Sequence, residues 1–362
     1  MHDVEVTGRN VDSKWKEVRA MEVFHMVERA IRCGASDLHL CAGQRAGMRV
    51  DGRLALQDEI PEEREMRQFA EVVLSKGQRD ILQRRNQLDF SWGYQKRRFR
   101  GNAYRQQGRL AFALRLLPAR IPTLAEIGAP RALTDFLDAG HGLLLVTGRT
   151  GSGKTTTLAA FLDAVNHRAA RHILTLEDPV EYVLQPDQCF ISQRELGQDF
   201  SSFAEGLCAG LREMPDVILV GEIREAETMR TAMAAAASGA LVLGTMHTRD
   251  AASAPLRIEG MFPLGERDAV RAELSEVLSG VFAQWLLPAR TGGRVCLFEV
   301  LLVDPAVRSL IRQGKYAQIP SAMLRSPVMR TRERAAQELA RQGKIRPVTL
   351  AAFLDGQTGQ MS

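Results

Sequence analysis

The sequence lacks several features that would define its class at once. Its five cysteines contain no C-x-x-C pair and leave an odd number, which disfavours both a disulfide framework and a cysteine-rich zinc site. No apolar run approaches the roughly 18 residues that a membrane-spanning helix needs. The polar and charged residues 1–17 contain no apolar stretch typical of a signal peptide. These absences predict a cytoplasmic protein without a transmembrane segment.

Lysine is also scarce. Only seven of the 48 basic side chains are lysines, and 43 acidic side chains leave a net charge of +5. A uniform arginine bias is more typical of genome composition than of a charged ligand surface. One basic stretch stands out at residues 96–120, KRRFRGNAYRQQGRLAFALRLLPAR. It is consistent with a nucleic-acid patch or with a solvated strand face.

The first third of the chain has the pattern of a small α+β domain. An amphipathic helix is predicted over 14–32, and a second helix over about 61–84. Strands are predicted at 36–40, in a hairpin over 48–56 that turns at Asp51-Gly52, and near 88–93, 97–105 and 110–117. This domain is predicted to span residues 1–118 and to end in a proline-containing linker over 119–130.

From residue 131 the pattern changes to that of a parallel α/β sheet. Short apolar runs alternate with helical stretches, which is typical of strands buried on both faces. The predicted strands are Leu143–Thr147, His172–Glu177, Val217–Gly221 and Leu241–Thr245. Beyond about residue 303 only helices are predicted. The 362 residues, of which 45% are hydrophobic, thus suit an α/β domain over 131–303 and a helical segment over 304–362.

The first of these strands leads into a complete phosphate-binding motif. The segment Gly148-Arg149-Thr150-Gly151-Ser152-Gly153-Lys154-Thr155 matches G-x-x-x-x-G-K-[ST], and a helical pattern starts at Thr156. Glycines let the backbone wrap tightly, so that successive N–H groups point at phosphate oxygens at a helix N-terminus. Lys154 is expected to neutralise the β- and γ-phosphates, and the Thr155 hydroxyl to bind Mg²⁺. The sequence therefore predicts a nucleotide site over residues 148–156.

Polar residues follow the other predicted strands. Glu222 stands in the Walker B position and would polarise the attacking water, the alternative being a surface acid beyond a core strand. Glu177 begins the acidic segment EDPVE, whose carboxylates repel one another unless a cation or a basic partner is present. His247 would lie near the γ-phosphate or be structural. Because the carboxyl ends of parallel strands meet at one edge, these groups are expected to form one site.

The order of these motifs resembles that of the secretion-superfamily ATPases, the motors of type II secretion and type IV pili. GRTGSGKT, HILTLEDPVEY, PDVILVGEIRE and LGTMHT are similar to the family's Walker A, Asp box, Walker B and His box. ASDLHL at 35–40, RFRGNAY at 98–104 and LRLLP at 114–118 resemble the N-terminal domain of the pilus retraction subfamily. AVRSLIR at 306–312 resembles its C-terminal signature.

The resemblance implies an α/β fold in which a PAS-like N-terminal domain precedes a RecA-like P-loop NTPase domain with a C-terminal helical segment. It implies that Glu222 is the catalytic carboxylate, that Glu177 supports water or Mg²⁺, and that His247 is the His-box residue. Arg100 and Arg115 would stabilise the charge that develops on the γ-phosphoryl oxygens. The implied cofactors are ATP and Mg²⁺, and the implied assembly is a homo-hexamer.

The implied function is type IV pilus retraction, or twitching-type motility, powered by hydrolysis of ATP. The implied partners are an inner-membrane pilus platform protein, at which the chain would lie peripherally, and paralogous pilus ATPases; nucleic acid is not an expected partner. Two alternatives stay open: a nucleic-acid motor of the same superfamily, and an accessory low-activity paralogue in a mixed ring. The second arises because Met214, Ala237 and Ala240 stand where the family usually has an acid, a glutamate and a histidine.

Overall fold

The computed structural model describes residues 22–95, 97–118 and 120–356. The chain divides after Arg120 into two compact units, each built around its own sheet. The helix predicted over 14–32 is helical in its described part, and its residues 14–21 lie outside the described ranges. Residues 357–362 of the predicted C-terminal segment also lie outside them.

The described part of the first unit contains a six-stranded sheet and three helices. The strands are β1 (Asp37–Cys41), β2 (Gly47–Val50), β3 (Arg53–Leu56), β4 (Gln87–Tyr94), β5 (Arg97–Gln106) and β6 (Arg109–Leu116), and the helices are α1 (Glu22–Arg32), α2 (Glu63–Val73) and α3 (Lys76–Arg85). The sheet order is β3-β2-β1-β6-β5-β4, with every neighbouring pair antiparallel. The predicted strands and the hairpin that turns at Asp51-Gly52 are confirmed.

The single helix predicted over 61–84 is wrong, because the structure divides it into α2 and α3. Leu74 leaves the helical conformation, with φ −112° and ψ 135°. Ser75 then caps α3: its hydroxyl accepts a hydrogen bond from the Gln78 N–H at 3.3 Å, and its own N–H donates to the Gln78 side chain at 2.9 Å. This reciprocal capping satisfies two N–H groups that a helix start leaves unpaired. Hydrophobic periodicity alone does not register such a cap.

Aromatic rings fill the core of the first unit. The Phe69 ring of α2 lies 5.3 Å from Phe24, 5.6 Å from Trp92 and 5.1 Å from Phe112, in each case edge to face. Such pairs contribute about 0.5–1.5 kcal/mol each beyond their buried area. Helices α1 and α2 therefore cover one face of the sheet, and alternate strand residues point to the opposite face.

The described part of the second unit contains a seven-stranded sheet. Its strands are β7 (Gly142–Thr147), β8 (His172–Glu177), β9 (Phe190–Glu195), β10 (Val217–Val220), β11 (Leu241–Met246), β12 (Leu278–Pro288) and β13 (Arg294–Leu302), in the order β13-β12-β7-β11-β10-β8-β9. Only the pairing of β12 with β13 is antiparallel. The four predicted strands are confirmed. Strands β9, β12 and β13 are not among the predicted strands, since they lie toward the sheet edges and contain polar residues, glycine or proline.

Helices cover both faces of this sheet. They are α4 (Arg131–Thr134), α5 (Lys154–Asn166), α6 (Phe203–Gly210), α7 (Ala226–Ala237), α8 (Ala254–Glu259), α9 (Arg267–Val277), α10 (Pro305–Arg312), α11 (Ile319–Arg325), α12 (Arg332–Arg341) and α13 (Pro347–Leu354). Strand β7 is buried along its whole length. Its Leu144 packs in one core with Phe161 of α5, and Leu145 packs in another with Met229 of α7. The continuous apolar runs thus reflect burial on both faces.

The described chain beyond residue 303 forms helices, as predicted. Asp304 caps α10, because its Oδ1 accepts a hydrogen bond from the Val307 N–H at 2.8 Å. Arg308 and Arg312, on the polar face of α10, both pair with Glu276 of α9. Across the ranges that the structure describes, no helix combines the length and the apolar character needed to span a bilayer.

Gly101 lies so close to a neighbouring ring that only glycine fits there. A Cβ at this position of β5 would overlap the Phe90 ring on β4. We expect Gly101→Ala to destabilise the protein by about 1–3 kcal/mol, measured by urea unfolding. Gly77→Ala in α3 is the control, since a Cβ there meets nothing within 4 Å, and it should stabilise by about 0.5 kcal/mol. Equal unfolding midpoints for the two variants would contradict this packing.

A candidate nucleotide site at the carboxyl edge of the second sheet

The loop between β7 and α5 has the backbone of a phosphate cradle. Gly148, Gly151 and Gly153 have φ values of 141°, 77° and 91°, which side chains disfavour. A Cβ at Gly148 would also overlap the carbonyl oxygen of Gln284. Helix α5 begins directly after the loop at Lys154, so its unpaired N-terminal N–H groups face the space that the loop encloses.

Lys154 points back into its own loop. Its Nζ donates hydrogen bonds to the carbonyl oxygens of Gly148 at 2.9 Å and Arg149 at 3.1 Å. Burial lowers the pKa of Lys154, and the negative charge of Glu222 opposes that shift. Phosphate oxygens are stronger acceptors for an ammonium group than neutral carbonyls. A phosphate that enters the loop therefore replaces these carbonyls as the partner of Lys154.

Gln284 of β12 fixes the loop from the neighbouring strand. Its Nε2 donates to the Ser152 carbonyl oxygen at 2.8 Å, and its Oε1 accepts from the Thr157 hydroxyl at 2.9 Å. The side chain is almost fully buried. Gln284 is not among the site residues predicted from the sequence; its signal there is a lone amide within the apolar segment 281–287.

The hydroxyl residues of the loop differ in their partners. Thr156 Oγ1 lies 3.1 Å from the Tyr182 hydroxyl, which ties the first turn of α5 to the segment after β8. Ser152 Oγ is buried and has no hydrogen-bond partner within the described ranges. Thr155 makes no side-chain hydrogen bond to any described residue, and its hydroxyl oxygen is the type of ligand that Mg²⁺ prefers.

Glu222 and His247 meet at the ends of adjacent strands. The Glu222 side chain lies just beyond β10, where its Oε1 is 3.0 Å from His247 Nε2 and its Oε2 is 2.6 Å from Arg224 Nη2. Burial raises the pKa of Glu222, but the hydrogen bond and charge of Arg224, with His247 and Lys154, outweigh burial and hold this pKa below its usual range. Glu222 is therefore an ionised carboxylate held between two basic side chains.

Glu177 ends β8 in a buried position. Its Oε1 accepts hydrogen bonds from the Thr175 hydroxyl at 2.8 Å and from Gln193 Nε2 at 3.1 Å. Burial raises the pKa of Glu177 to about 7, the two hydrogen bonds oppose the shift, and Glu181 and Glu195 add to it. Within the described structure, neutral donors and partial protonation thus relieve the charge repulsion expected of the acidic segment.

Arg100 and Arg115 belong to the first unit and stand directly opposite each other on β5 and β6. Both are exposed, and Arg115 Nε lies 3.1 Å from Asp37 Oδ1 on β1. Arg100 makes no ion pair and no side-chain hydrogen bond within the described ranges. Directly paired like charges on neighbouring strands repel each other, and an anion would relieve that repulsion.

The three departures from the family pattern lie at the opposite, amino edge of the second sheet. Ala237 ends α7, and the carbonyl oxygen of Ala240 accepts a hydrogen bond from the N–H of Gly142, the first residue of β7. Met214 precedes β10 and is 84% exposed. Strand β11 has six residues and spans about 20 Å. These substitutions therefore lie about a strand length away from the candidate site.

A buried strand that enters a phosphate cradle, with carboxylates at the ends of neighbouring strands, is the arrangement of the P-loop nucleotide-binding proteins. Residues 16–291 match the family model described as type II/IV secretion system protein. The chain belongs to this family.

Individual relatives agree with this assignment. The protein YggR of Escherichia coli K12 is 46% identical over 302 residues, which cover 83% of this chain and 92% of the relative. The type IV pilus retraction ATPase PilT of Pseudomonas aeruginosa PAO1 is 41% identical over 305 residues, or 84% and 89% of the two chains. The crystal structure of the pilus retraction motor PilT with bound ADP matches with a TM-score of 0.85 at 41% identity, covering 91% of this chain and 95% of that one. The resemblance inferred from the motifs is confirmed.

The raised pKa of Glu177 makes the stability of the protein depend on pH. The pKa of Glu177 is about 7 in the folded protein and 4.5 in the unfolded chain. Between these pH values the folded protein therefore binds more protons than the unfolded chain. The free energy of unfolding falls as the pH rises from about 4.5 to 7. Glu177→Gln keeps an acceptor for Thr175 and Gln193 but does not titrate. Between pH 5 and pH 8, the wild type should lose on the order of 2–3 kcal/mol of unfolding free energy that Glu177→Gln does not lose, measured by urea unfolding. Exposed Glu71→Gln is the control, and a wild-type pH response in Glu177→Gln would contradict the buried titration.

Proposed function

We propose that the protein is an ATPase motor that powers type IV pilus retraction, or twitching-type motility. The observation that carries the proposal is the contact between Glu222 and His247 beside a P-loop whose Lys154 responds to the charge of Glu222. It joins a carboxylate suited to orient water to a loop suited to hold phosphates. Support for the mechanical role comes from the relative named as a type IV pilus retraction ATPase and from the retraction motor that holds ADP.

In this proposal, water attacks the γ-phosphate of ATP, and ADP and phosphate are the products. Glu222 is ionised, so it accepts a hydrogen bond from the water and orients it. Each carboxylate oxygen has a second acceptor site, so Glu222 can bind the water while Arg224 and His247 keep their present contacts. Lys154 supplies a further positive charge to the phosphate oxygens.

The hydroxyl of Thr155 would hold the Mg²⁺ that accompanies ATP. When bound, this ion would neutralise charge on the β- and γ-phosphate oxygens. Glu177 would support the water or the ion from its buried place at the end of β8. Since the pKa of Glu177 is about 7, its carboxyl group ionises readily when positive charge arrives nearby.

We further propose Arg100 and Arg115 as the arginines that stabilise the γ-phosphoryl charge. Their direct pairing on β5 and β6 creates a repulsion that an anion relieves, and Arg100 has no competing acidic partner among the described residues. A guanidinium group also donates several hydrogen bonds in a fixed plane, which suits phosphate oxygens.

The working form would be a homo-hexameric ring that hydrolyses ATP between subunits and lies peripherally on the cytoplasmic side of the inner membrane. A platform protein at the base of the fibre would receive the force, and paralogous pilus ATPases would be further partners. We assign a PAS-like domain to residues 1–118, a linker to 119–130, a RecA-like domain to 131–303 and a helical segment to 304–362. The antiparallel sheet with β1 and β6 at its centre supports the first of these assignments.

An active motor is favoured over an accessory subunit. The departures at Met214, Ala237 and Ala240 lie at the amino edge of the sheet, whereas Glu222, His247 and Lys154 are all present at the carboxyl edge. The chain therefore retains the groups that hydrolysis needs in the place where they are needed.

Hydrolysis of ATP with Mg²⁺ by the purified full-length chain tests the reaction. Glu222→Gln should lower kcat by about 100-fold or more, because the amide no longer accepts a proton from water. Glu225→Gln is the matched control, since this exposed glutamate three residues away caps no helix N–H with its side chain. Double-stranded DNA should not stimulate the reaction. Strong, salt-sensitive stimulation would identify a nucleic-acid motor instead.

Arg100→Ala tests the proposed arginine pair in the same assay. We expect kcat to fall by about tenfold or more, because one of two charges facing the γ-phosphoryl group is lost. Arg53→Ala is the control, since Arg53 is also exposed on this sheet and carries the same charge. If both variants lowered kcat equally, the general positive charge of the first unit would account for the effect and the specific role of Arg100 would be wrong.

A further inference from the structure

Glu299 is a buried carboxylate that joins two elements of the second unit. It stands in the middle of β13 and is 5% exposed. Its Oε2 accepts a hydrogen bond from the Ala251 N–H at 2.7 Å, and its Oε1 accepts one from the Arg332 N–H at 3.3 Å. Neither N–H group belongs to β13, so the side chain acts as a bridge between Ala251 and Arg332, which are 81 residues apart in the sequence.

The first bridged element is the turn 248–253, which follows His247 directly. The turn has its own internal hydrogen bonds: Thr248 Oγ1 donates to the Asp250 carbonyl oxygen at 3.0 Å, and the Ser253 N–H donates to Asp250 Oδ1 at 2.8 Å. Ala251, at its centre, is fully buried. A turn that is braced internally moves as one piece, so its anchor at Ala251 also constrains His247.

The second bridged element is the start of α12 in the C-terminal helical segment. Thr331 is its N-cap, with a hydroxyl that accepts from the Arg334 N–H at 3.4 Å, and Arg332 is the first helical residue. Arg330, just before it, exchanges two backbone hydrogen bonds with Val300 at 2.8 and 3.0 Å. Strand β13 therefore holds the helix start on one side of Glu299, and Glu299 completes the attachment.

Ionisation of Glu299 is costly in this place. Burial raises its pKa to about 7, the two backbone hydrogen bonds oppose the shift, and the charges of Asp250 and Glu333 add to it. Arg332 is a facing cation, although its Nε is bound to Glu333 at 2.6 Å. A buried carboxylate with this many unfavourable neighbours contributes little to stability. Its two hydrogen bonds instead define how the turn and the helix sit against β13.

The bridge lies next to the P-loop. A pocket of about 90 Å³ is lined by Gly148 and Arg149 of the loop, Thr248 and Arg249 of the turn, and Arg332 of α12. Trp285 and Phe353, whose rings meet edge to face at 5.9 Å, also line it. The turn, the helix start and the phosphate loop thus border one small space, and a shift of any one of them changes it.

We propose that Glu299 is a positioning residue that sets His247 by tying its turn to the C-terminal helices, so that a displacement of these helices changes the rate of hydrolysis. The inference rests on the proposed ATPase function. It assigns the C-terminal segment a physical route to the Glu222–His247 contact, through Glu299 and Ala251. Such a route requires that loosening the bridge changes both the turn and the catalytic step.

Two substitutions loosen the bridge in different ways. Glu299→Gln keeps the shape but presents an amide NH₂ to one of the two N–H groups, so one hydrogen bond is lost. Arg332→Pro removes the backbone N–H that donates to Glu299 Oε1. Residue 332 is the first helical position, where proline is well tolerated. Thr331 before it is already extended, with φ −75° and ψ 159°, as a residue before proline prefers. Arg332→Ala is the reference for the proline variant, because it removes the same side chain and keeps the N–H.

We expect Glu299→Gln to lower kcat by about tenfold and to leave KM for ATP within about twofold, because the nucleotide cradle is intact and the geometry of His247 is not. Arg332→Pro should lower kcat relative to Arg332→Ala in the same way. Glu259→Gln is the control: Glu259 is also a buried carboxylate, but it bonds Tyr316 and not the turn. Melting temperatures of all variants establish that each is folded.

Hydrogen–deuterium exchange gives a readout that does not depend on activity. Amides of residues 248–253 should exchange about tenfold faster in Glu299→Gln and in Arg332→Pro than in their references. Faster exchange with unchanged kcat would overturn the coupling, and unchanged exchange would overturn the bridge itself. A loss of kcat in Glu259→Gln equal to that in Glu299→Gln would also overturn it. If the wild type hydrolyses no ATP, the proposed function fails, while the exchange result still decides the bridge.

Discussion

Burial of the central strands on both faces is the constraint on which the site depends. Strands β7, β8, β10 and β11 place alternate residues in two different cores, so a polar side chain along them must be fully bonded inside the protein or stand at a strand end. The carboxyl ends therefore collect the phosphate loop, His247, Glu222 and Glu177. Gln284 is a polar residue within a strand, and its two hydrogen bonds hold the loop itself.

Two carboxylates at this edge have pKa values that their surroundings shift in opposite directions. Glu222 meets Arg224 and His247, and its pKa is lowered in spite of burial. Glu177 meets neutral donors and other acids, and its pKa is raised to about 7. One is thus a fixed negative charge, and the other is a group whose charge changes near neutral pH. Pairs whose environments move the pKa values apart divide chemical roles between them.

Much of this site follows from the sequence, because its signals are local. The P-loop is one continuous motif, and Glu222, Glu177 and His247 each follow an apolar run whose parallel neighbours can be inferred. Gln284 and Glu299 do not follow from it, because their partners lie more than 30 residues away. The pairing of β12 with β7 brings Gln284 to the phosphate loop, and Glu299 reaches its two partners from β13. The break at Ser75 was missed for a different reason: a side-chain cap overrides a helical period that continues on both sides.

The hydrogen bonds of Lys154 to its own loop have a consequence for the proposed cycle of ATP hydrolysis. When a nucleotide leaves, the ammonium returns to the carbonyl oxygens of Gly148 and Arg149, so departure leaves no bare charge in a buried place. The emptied loop can then keep its shape without waiting for the next occupant. The affinity of the loop for phosphate is lower as a result, because each phosphate that binds must displace the two hydrogen bonds of Lys154. Weaker binding of the product suits an ATPase, because product release, and not cleavage of the phosphate bond, often limits the rate of such enzymes.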